Sequence, residues 1–204
     1  MKGVITGDII NSRKSNSVEE WLIPLKECLN KYGKTPKNWE IYRGDSFQLL
    51  TDFREIIKAA VHIKAAIKSI KNIDVRMAIG IGEVSHTAQN ITESNGEAFI
   101  NSGELFEKLV KNKKNLGIRT QSDKLNTHIN TTLDLALIIM DDWSPGAAQV
   151  VNAQMDDENS SQTELAKKLK ISQVAISKAL QRSHYSEIKD YINLITEQIK
   201  EQNK

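Results

Sequence analysis

Apolar residues in the first 122 positions follow two spacings, which predict a mixed series of strands and helices. Apolar positions two apart are typical of strands, and positions three or four apart are typical of helices. The predicted strands are Gly3–Thr6, Trp39–Arg43, Phe47–Thr51, Asp74–Val84 and Leu116–Gln121. The predicted helices are Ser17–Tyr32, Phe53–Ile70 and Glu97–Val110. The first six elements have a β-α-β-β-α-β order, which is typical of a ferredoxin-like sandwich.

The pattern becomes entirely helical after Gln121, which predicts a second domain. The helices predicted there are Leu125–Trp143, Ala147–Met155, Gln162–Leu169, Gln173–Arg182 and Tyr185–Gln202. The sequence therefore predicts an α+β fold, with a βαββαβ sandwich at residues 1–122 and an all-α domain at residues 123–204.

Composition narrows the function classes only slightly. The 204 residues carry a net charge of +2, so the chain as a whole shows no electrostatic preference for nucleic acid or membranes. No apolar run is long enough to span a membrane. A single cysteine, Cys28, excludes an intramolecular disulfide bond and is consistent with a reducing, cytoplasmic location.

Two aspartates of the first domain are predicted to lie at the same edge of its sheet. Asp8 follows the first strand, and Asp45 lies in the turn of the hairpin IYRGDSFQLL. The first crossover makes strands one and two parallel, so both aspartates are expected at one edge. Two close carboxylates repel each other unless a cation lies between them, and Mg²⁺ prefers oxygen ligands. Aspartate is also common in turns and at strand ends, so a purely structural role stays open.

The hairpin segment YRGDSF resembles the Gly-Gly-Asp-Glu-Phe hairpin of diguanylate cyclases and the Gly-Asp hairpin of class III nucleotide cyclases. This resemblance implies a palm-type core in which Asp8, the carbonyl group of Ile9 and Asp45 bind catalytic Mg²⁺ ions. The nucleotide-binding residues that it implies are Gly44, Ser46 and Asn101.

Three positions depart from the catalytic pattern of those cyclases. Ser46 replaces the second acid of the diguanylate hairpin. Ile41 replaces the base-selecting lysine of class III enzymes, and Leu105 replaces their charge-stabilising arginine when Asn101 is aligned. Phosphoryl transfer depends almost entirely on positioning and charge neutralisation. The departures therefore predict a domain that keeps its metal-ligand positions and has little or no cyclase activity.

Segment 163–180, TELAKKLKISQVAISKAL, resembles a DNA-binding helix-turn-helix, with the whole motif at about 162–182. Ile171 is expected to fill the turn, whereas Val174, Ile176 and Leu180 are expected to pack the second helix. The predicted DNA-binding residues are Ser172, which would also cap that helix, Gln173, Ala175, Ser177, Lys178 and Arg182.

Charge around this motif is locally positive, unlike that of the whole chain. Between residues 163 and 182 there are five basic residues and one glutamate, a net charge of +4. Such a patch suits a phosphate backbone. A helical hairpin that serves protein association is the alternative interpretation.

Four segments in order, TGDIINSR, YRGDSFQ, RMAIGIGE and NGEAFINSG, followed by a helix-turn-helix, are similar to the SatD family of bacterial proteins. The resemblance covers nearly the full chain and implies a cyclase-like domain joined to a helix-turn-helix.

These observations favour a homodimeric regulator that binds double-stranded DNA. Its palm domain is expected to sense a nucleotide or to mediate dimerisation. A metal-dependent nucleotidyl cyclase or related phosphotransferase, and a protein-interaction scaffold, are the two alternatives.

Overall fold

The computed structural model describes residues 1–202 and has a mixed α and β architecture. Five strands form one sheet: β1 (Lys2–Ile10), β2 (Trp39–Tyr42), β3 (Ser46–Asp52), β4 (Asp74–Gly82) and β5 (Leu116–Arg119). The first four helices are α1 (Glu19–Tyr32), α2 (Phe53–Lys68), α3 (Glu97–Asn112) and α4 (Asp123–Asp141). The remaining helices are α5 (Pro145–Asp156), α6 (Gln162–Leu169), α7 (Gln173–Arg182) and α8 (Tyr185–Glu201). Short 3₁₀ turns occur at Ser12–Lys14 and Ile91–Glu93.

The sheet has the order β2-β3-β1-β4-β5, with β1 at its centre. All neighbouring strands are antiparallel except β4 and β5, which are parallel. Strands β1 and β2 therefore run in the same direction on either side of β3. This order brings the end of β1 to the β2–β3 hairpin, as the sequence predicted.

Helices cover the two faces of the sheet unequally. Ile5 and Ile9 of β1 belong to the large core formed with α1 and α2. On the other face, Val4 packs in a smaller cluster with Ala98 and Phe99 of α3. Gly80 of β4 permits this close contact, because a Cβ atom there would lie 2.1 Å from the Ala98 carbonyl oxygen. Farther along the strands, the sheet face that α3 covers carries polar residues.

The helical region packs onto the sheet region without a break in the core. The large core includes buried residues of α4, α5 and α8 together with those of α1 and α2. Helix α4 also covers the edge strand β5, where the Asn130 side chain exchanges two hydrogen bonds with the backbone of Ile118, at 2.9 and 2.7 Å. A boundary at residues 122 and 123 stays a prediction, since the two regions share this core.

Helix α5 is buried on two sides and links the two cores. Ala148, Val151 and Met155 belong to the large core. Val150 and Ala153 pack in a second cluster with α6 and α7. The entry to α5 and the exit from α7 also meet, because the buried Trp143 indole donates a hydrogen bond of 2.9 Å to the Ser183 carbonyl oxygen.

Strand β1 is longer than the sequence predicted. The pair Gly7-Asp8 indicated a turn, yet β1 continues to Ile10. Hydrogen bonding to β3 on one edge and to β4 on the other keeps both residues in extended conformation. No helix among the described residues is long and apolar enough to cross a membrane.

An aspartate at the end of α5 joins three helices. Asp156 lies 3.1 Å from Lys31 of α1, 3.2 Å from His62 of α2 and 3.4 Å from Lys168 of α6. His62 is itself buried, and its Nδ1 lies 2.9 Å from the Tyr32 hydroxyl. Burial alone would raise the pKa of Asp156, but His62 and Lys31 outweigh that effect and hold its pKa well below the usual range.

Gly80→Ala is predicted to destabilise the protein by about 3 kcal/mol, because α3 must move off the sheet to admit the new Cβ atom. Urea unfolding followed by circular dichroism measures this change. Gly103→Ala is the matched control, since it lies within α3 and its added Cβ would meet no atom within 4 Å. The control should leave stability unchanged or raise it by up to about 1 kcal/mol. If both substitutions change the free energy of unfolding equally, the close contact of α3 with Gly80 does not limit stability.

Asp156→Asn is predicted to lower the free energy of unfolding by about 2 kcal/mol at pH 7, because Lys31 and Lys168 lose the carboxylate that they share. A carboxyl group with a lowered folded pKa stabilises the protein above its ordinary pKa, near 4, and loses that effect as pH falls. The difference between wild type and variant should therefore shrink below about pH 4.

The control for this experiment is Asp134→Asn, in an exposed ion pair of 2.6 Å with Lys114. It should cost at most about 1 kcal/mol. Urea unfolding at several pH values tests both variants. A pH-independent difference for Asp156→Asn would show that lost packing, and not charge, is responsible.

Candidate functional site

The two aspartates predicted as metal ligands come together where β1 meets the β2–β3 hairpin. Asp8 pairs directly with Ser46 of β3, and the Ile9 amide donates a hydrogen bond of 3.1 Å to the Asp45 carbonyl oxygen. Arg43 and Gly44 complete the hairpin turn with φ values of 50° and 90°. Gly44 suits this conformation, whereas Arg43 adopts it at a cost of about 1 kcal/mol.

Each carboxylate of this pair already has a partner in the protein. The Arg76 guanidinium of β4 lies 3.3 Å from Asp8 Oδ2. The Ser12 hydroxyl donates a hydrogen bond of 2.6 Å to Asp45 Oδ2. Burial raises the pKa of Asp8, Arg76 opposes the increase, and the neighbouring Asp45 charge adds to it. The pKa of Asp8 is raised overall because the effect of burial exceeds the opposing effect of Arg76.

A polar row crosses the sheet at this level. Tyr42, Ser46, Asp8 and Arg76 are register neighbours on β2, β3, β1 and β4. Residues opposite each other in an antiparallel pair share a face, and this face is the one that α3 covers farther along β1. The Asp8 side chain keeps 26% of its surface exposed. Small polar molecules can therefore reach the row.

The predicted nucleotide-binding residues do not all lie at this row. Gly44 and Ser46 flank Asp45, and a Cβ atom at Gly44 would meet no other atom within 4 Å. Asn101 is buried in α3, and its amide donates a hydrogen bond of 3.0 Å to the Ile81 carbonyl oxygen. Ile81 pairs with Gly3, five residues from Asp8 along β1, which is roughly 17 Å. Asn101 therefore supports the contact of α3 with β4 and does not face the acidic pair.

The acidic pair supplies two of the oxygen ligands that a divalent metal ion would need, and Arg76 competes for one of them. Asp8 and Asp45 supply two carboxylates, and in residues 1–202 no group of three or more His, Cys, Asp and Glu residues could hold a metal. Asp8 Oδ1 is buried, and none of the described residues provides it with a hydrogen-bond partner. That oxygen suits a cation, yet Arg76 already places one beside the same carboxylate. These residues form an arginine-balanced acid pair.

Helices α6 and α7 form a second candidate site, a compact pair packed on α5. Leu165 and Ala166 of α6 and Ile176 and Ala179 of α7 are buried together. The connecting Lys170 adopts the left-handed conformation, with φ 55° and ψ 40°. Ser172 then caps α7, because its hydroxyl accepts a hydrogen bond of 3.1 Å from the Ala175 amide. The cap at Ser172 confirms the prediction from the sequence.

Most of the predicted DNA-binding side chains lie on the solvent side of this pair. Ala175 is half-buried, and the exposed members of the set are Ser172, Gln173, Ser177, Lys178 and Arg182. The other basic side chains of the pair, Lys167, Lys168 and Lys170, are exposed as well. Among them Lys168 reaches back to Asp156. The pair thus presents a positively charged outer surface.

Two packing predictions for this pair were wrong. Ile171 was expected to fill the turn, and Val174 was expected to face α6, yet they are 43% and 63% exposed. A helix advances 100° per residue, so Val174 points away from the side that buries Ile176 and Ala179. Ala179 lies on the buried side instead, in the cluster that contains Val150 and Ala153 of α5.

Sequence reasoning missed several residues that shape these sites. Arg76 shares a strand face with Gly80 and Gly82, so the period-two pattern of β4 could have located it. Ser12 gave no such signal, because its contact with Asp45 depends on the turn that follows β1. Val174 could have been placed outward by an explicit helical projection.

Comparison with known proteins gives one positive result. A search of curated proteins found no match, and a search of solved structures found none either. The family model described as SatD family matches residues 3–199, nearly the full chain, so this protein belongs to the SatD family.

Proposed function

We propose that this protein is a DNA-binding regulator in which the α6–α7 pair acts as a helix-turn-helix. The observation that carries the proposal is the exposed, basic outer surface of α7, held by a left-handed turn at Lys170 and by the packing on α5. Motifs of this type place their second helix in the major groove while the first helix crosses the backbone. An α-helix with its side chains is about 10–12 Å in diameter, which suits a groove about 12 Å wide.

Charge supports nucleic acid over protein as the partner of this surface. Residues 163–182 include five basic residues and one glutamate. Glu164 is engaged in its own helix cap, because it accepts a hydrogen bond of 2.7 Å from the Ser161 amide. The positive charge therefore dominates the exposed side, as binding to phosphates requires.

We assign the sheet region to a ferredoxin-like, cyclase-like palm with a regulatory role. Its strand order and its two crossovers agree with that assignment. Catalysis by a cyclase would need the lysine and arginine that Ile41 and Leu105 replace. Arg76 beside Asp8 also competes with any metal ion for that carboxylate. A sensor of small polar ligands, a nucleotide among them, or a dimerisation unit suits these residues better than an enzyme.

The Asp156 contacts offer a route between the proposed sensor and the proposed DNA reader. Asp156 begins the connection from α5 to α6, and its partners Lys31 and His62 belong to the sheet region. Glu158 in the same connection pairs with Lys58 of α2. A ligand that shifts α1 or α2 would therefore move the connection that positions α6.

A homodimer is the proposed active form. Helix-turn-helix proteins commonly bind two half-sites about 34 Å apart, with the symmetry of the DNA site matching that of the dimer. Leu135 and Ile138 are exposed on the outer side of α4 and provide an apolar surface for a second copy. The palm region is the other candidate interface.

Lys178→Ala and Arg182→Ala are each predicted to weaken binding to duplex DNA by about 1–3 kcal/mol if the side chain contacts a base, and by less if it contacts only phosphate. Affinity for the wild type should fall steeply with salt, since Lys and Arg contacts release counterions. Fluorescence anisotropy with fragments from the protein's own operon measures both effects.

Lys108→Ala on α3 is the control for this experiment, because it removes an exposed lysine from the sheet region. It should leave affinity unchanged. If no fragment binds better than random duplex at low salt, and the Lys178 and Arg182 double variant behaves as wild type, the scaffold alternative gains support.

The wild type is predicted to form no cyclic nucleotide from ATP or GTP with Mg²⁺, and Mg²⁺ should change its Tm by less than about 1 °C. Arg76→Met leaves Asp8 and Asp45 without a balancing cation, so this variant should be stabilised by millimolar Mg²⁺, by about 2–4 °C. Chromatography of the nucleotides and thermal melts test both statements.

Arg119→Met is the matched control, because it removes an arginine from a more exposed pair with Glu104. Its Tm should not respond to Mg²⁺. Cyclic nucleotide formation by the wild type that disappears in Asp45→Ala would favour the cyclase alternative.

A further inference from the structure

The outer face of α7 has an apolar centre within its polar surroundings. Val174 is 63% exposed, and Ile171, three residues earlier in the turn, is 43% exposed. Together these two side chains form a small patch at the N-terminal end of α7. Neither contributes to the buried cluster that holds α7 on α5 and α6.

The helical geometry of α7 places Val174 at the middle of its outward face. The inward side is marked by Ile176, Ala179 and Leu180. Val174 points to the opposite side, one turn before Ser177 and Lys178 and two turns before Gln181. All three of those neighbours are exposed. An aliphatic side chain therefore occupies the position that would reach deepest into a groove.

We propose that Val174, supported by Ile171, reads the C5-methyl groups of thymines in the major groove. This inference rests on the proposed DNA-binding function. The thymine methyl is the one apolar group that base pairs present in the major groove, and small aliphatic side chains contact it favourably. The β-branched valine has a restricted χ1 angle in a helix, so its methyl groups are held in fixed positions.

The surroundings of the patch favour DNA over a protein partner. The patch consists of two side chains, and Lys167, Lys170 and Lys178 are exposed in the same α6–α7 pair. Lysine is depleted at the centres of protein–protein interfaces, where larger apolar surfaces are usual. Lysines around the small apolar patch can contact the phosphates on either side of the major groove, while the patch itself faces a thymine methyl group. Ser177 and Gln181 are placed to hydrogen-bond with adjacent base edges.

The test begins with duplexes that the full-length wild type enriches from a randomised library. Each thymine of the enriched site is then replaced by uracil, which removes only the C5-methyl group. Anisotropy titrations should show one or two positions at which the replacement weakens wild-type binding by about fourfold, the factor expected for one buried methyl group. Val174→Ala should bind the thymine and uracil sites equally well at those positions.

Ile100→Ala is the control variant, because Ile100 is an equally prominent exposed side chain, on α3 and outside the α6–α7 pair. It should keep the full discrimination between thymine and uracil. Val174→Thr, which keeps the branched shape, should retain part of it. Since Val174 is exposed, circular dichroism of each variant should match the wild type.

Two kinds of result would overturn the inference, and they can be told apart. The first is that an enriched site is bound but every uracil replacement leaves the affinity unchanged, or that Val174→Ala lowers the affinity for thymine and uracil sites equally. In that case Val174 does not read methyl groups, whereas the proposed DNA binding stands. If no duplex is enriched over random DNA at low salt, the inference and the proposed DNA-binding function both fail.

Discussion

Hydrogen bonding of β1 along both of its edges is the constraint on which the arrangement of this protein depends. Because β3 and β4 both pair with β1, Ser46, Asp8 and Arg76 must lie side by side. The same register brings Gly80 opposite Val4, where α3 packs on the sheet. A shift of one residue in either ladder would turn Asp8 toward the apolar core of α1 and α2. The acidic row and the position of α3 thus have one common cause.

Helix α5 connects this sheet to the α6–α7 pair because both of its sides are buried. The consecutive residues Val150 and Val151 belong to different clusters, since Val150 packs with α6 and α7 and Val151 packs in the large core. The ion pairs of Asp156 and Glu158 reinforce the connection at its end. The α6–α7 pair is therefore anchored to the sheet region and is not a freely moving appendage.

Element order and local caps could be predicted from the sequence, because they depend on neighbours a few residues away. The five strands and eight helices follow apolar periodicity, and Ser172 caps α7 as its position indicated. Contacts between distant residues could not be predicted in this way. Arg76 pairs with Asp8 across 68 residues, and only the assembled sheet places them together. Asn101 was predicted to bind nucleotide from the resemblance to class III cyclases. In the folded protein it is buried, and its amide donates a hydrogen bond to the Ile81 carbonyl oxygen.

The outward position of Val174 was mispredicted for a different reason. Its neighbours Ile176 and Leu180 do belong to the packed side, so the apolar composition of α7 pointed the same way for all three. The helical angle decides which of these side chains is buried, and it turns Ile176 and Ala179 toward the cluster and Val174 away from it. Composition alone does not contain that information.

The hydrogen bond between Trp143 and Ser183 has a topological consequence. It brings together the points at which the chain enters α5 and leaves α7, so the 40-residue segment between them begins and ends at one place. Helices α4 and α8, on either side, remain packed in the large core. Along the chain, the segment from α5 to α7 therefore leaves and rejoins the fold at one point, while α5 itself stays packed in the large core. Such a layout lets the exposed surfaces of α6 and α7 vary in sequence while α5 and the flanking helices keep the large core intact.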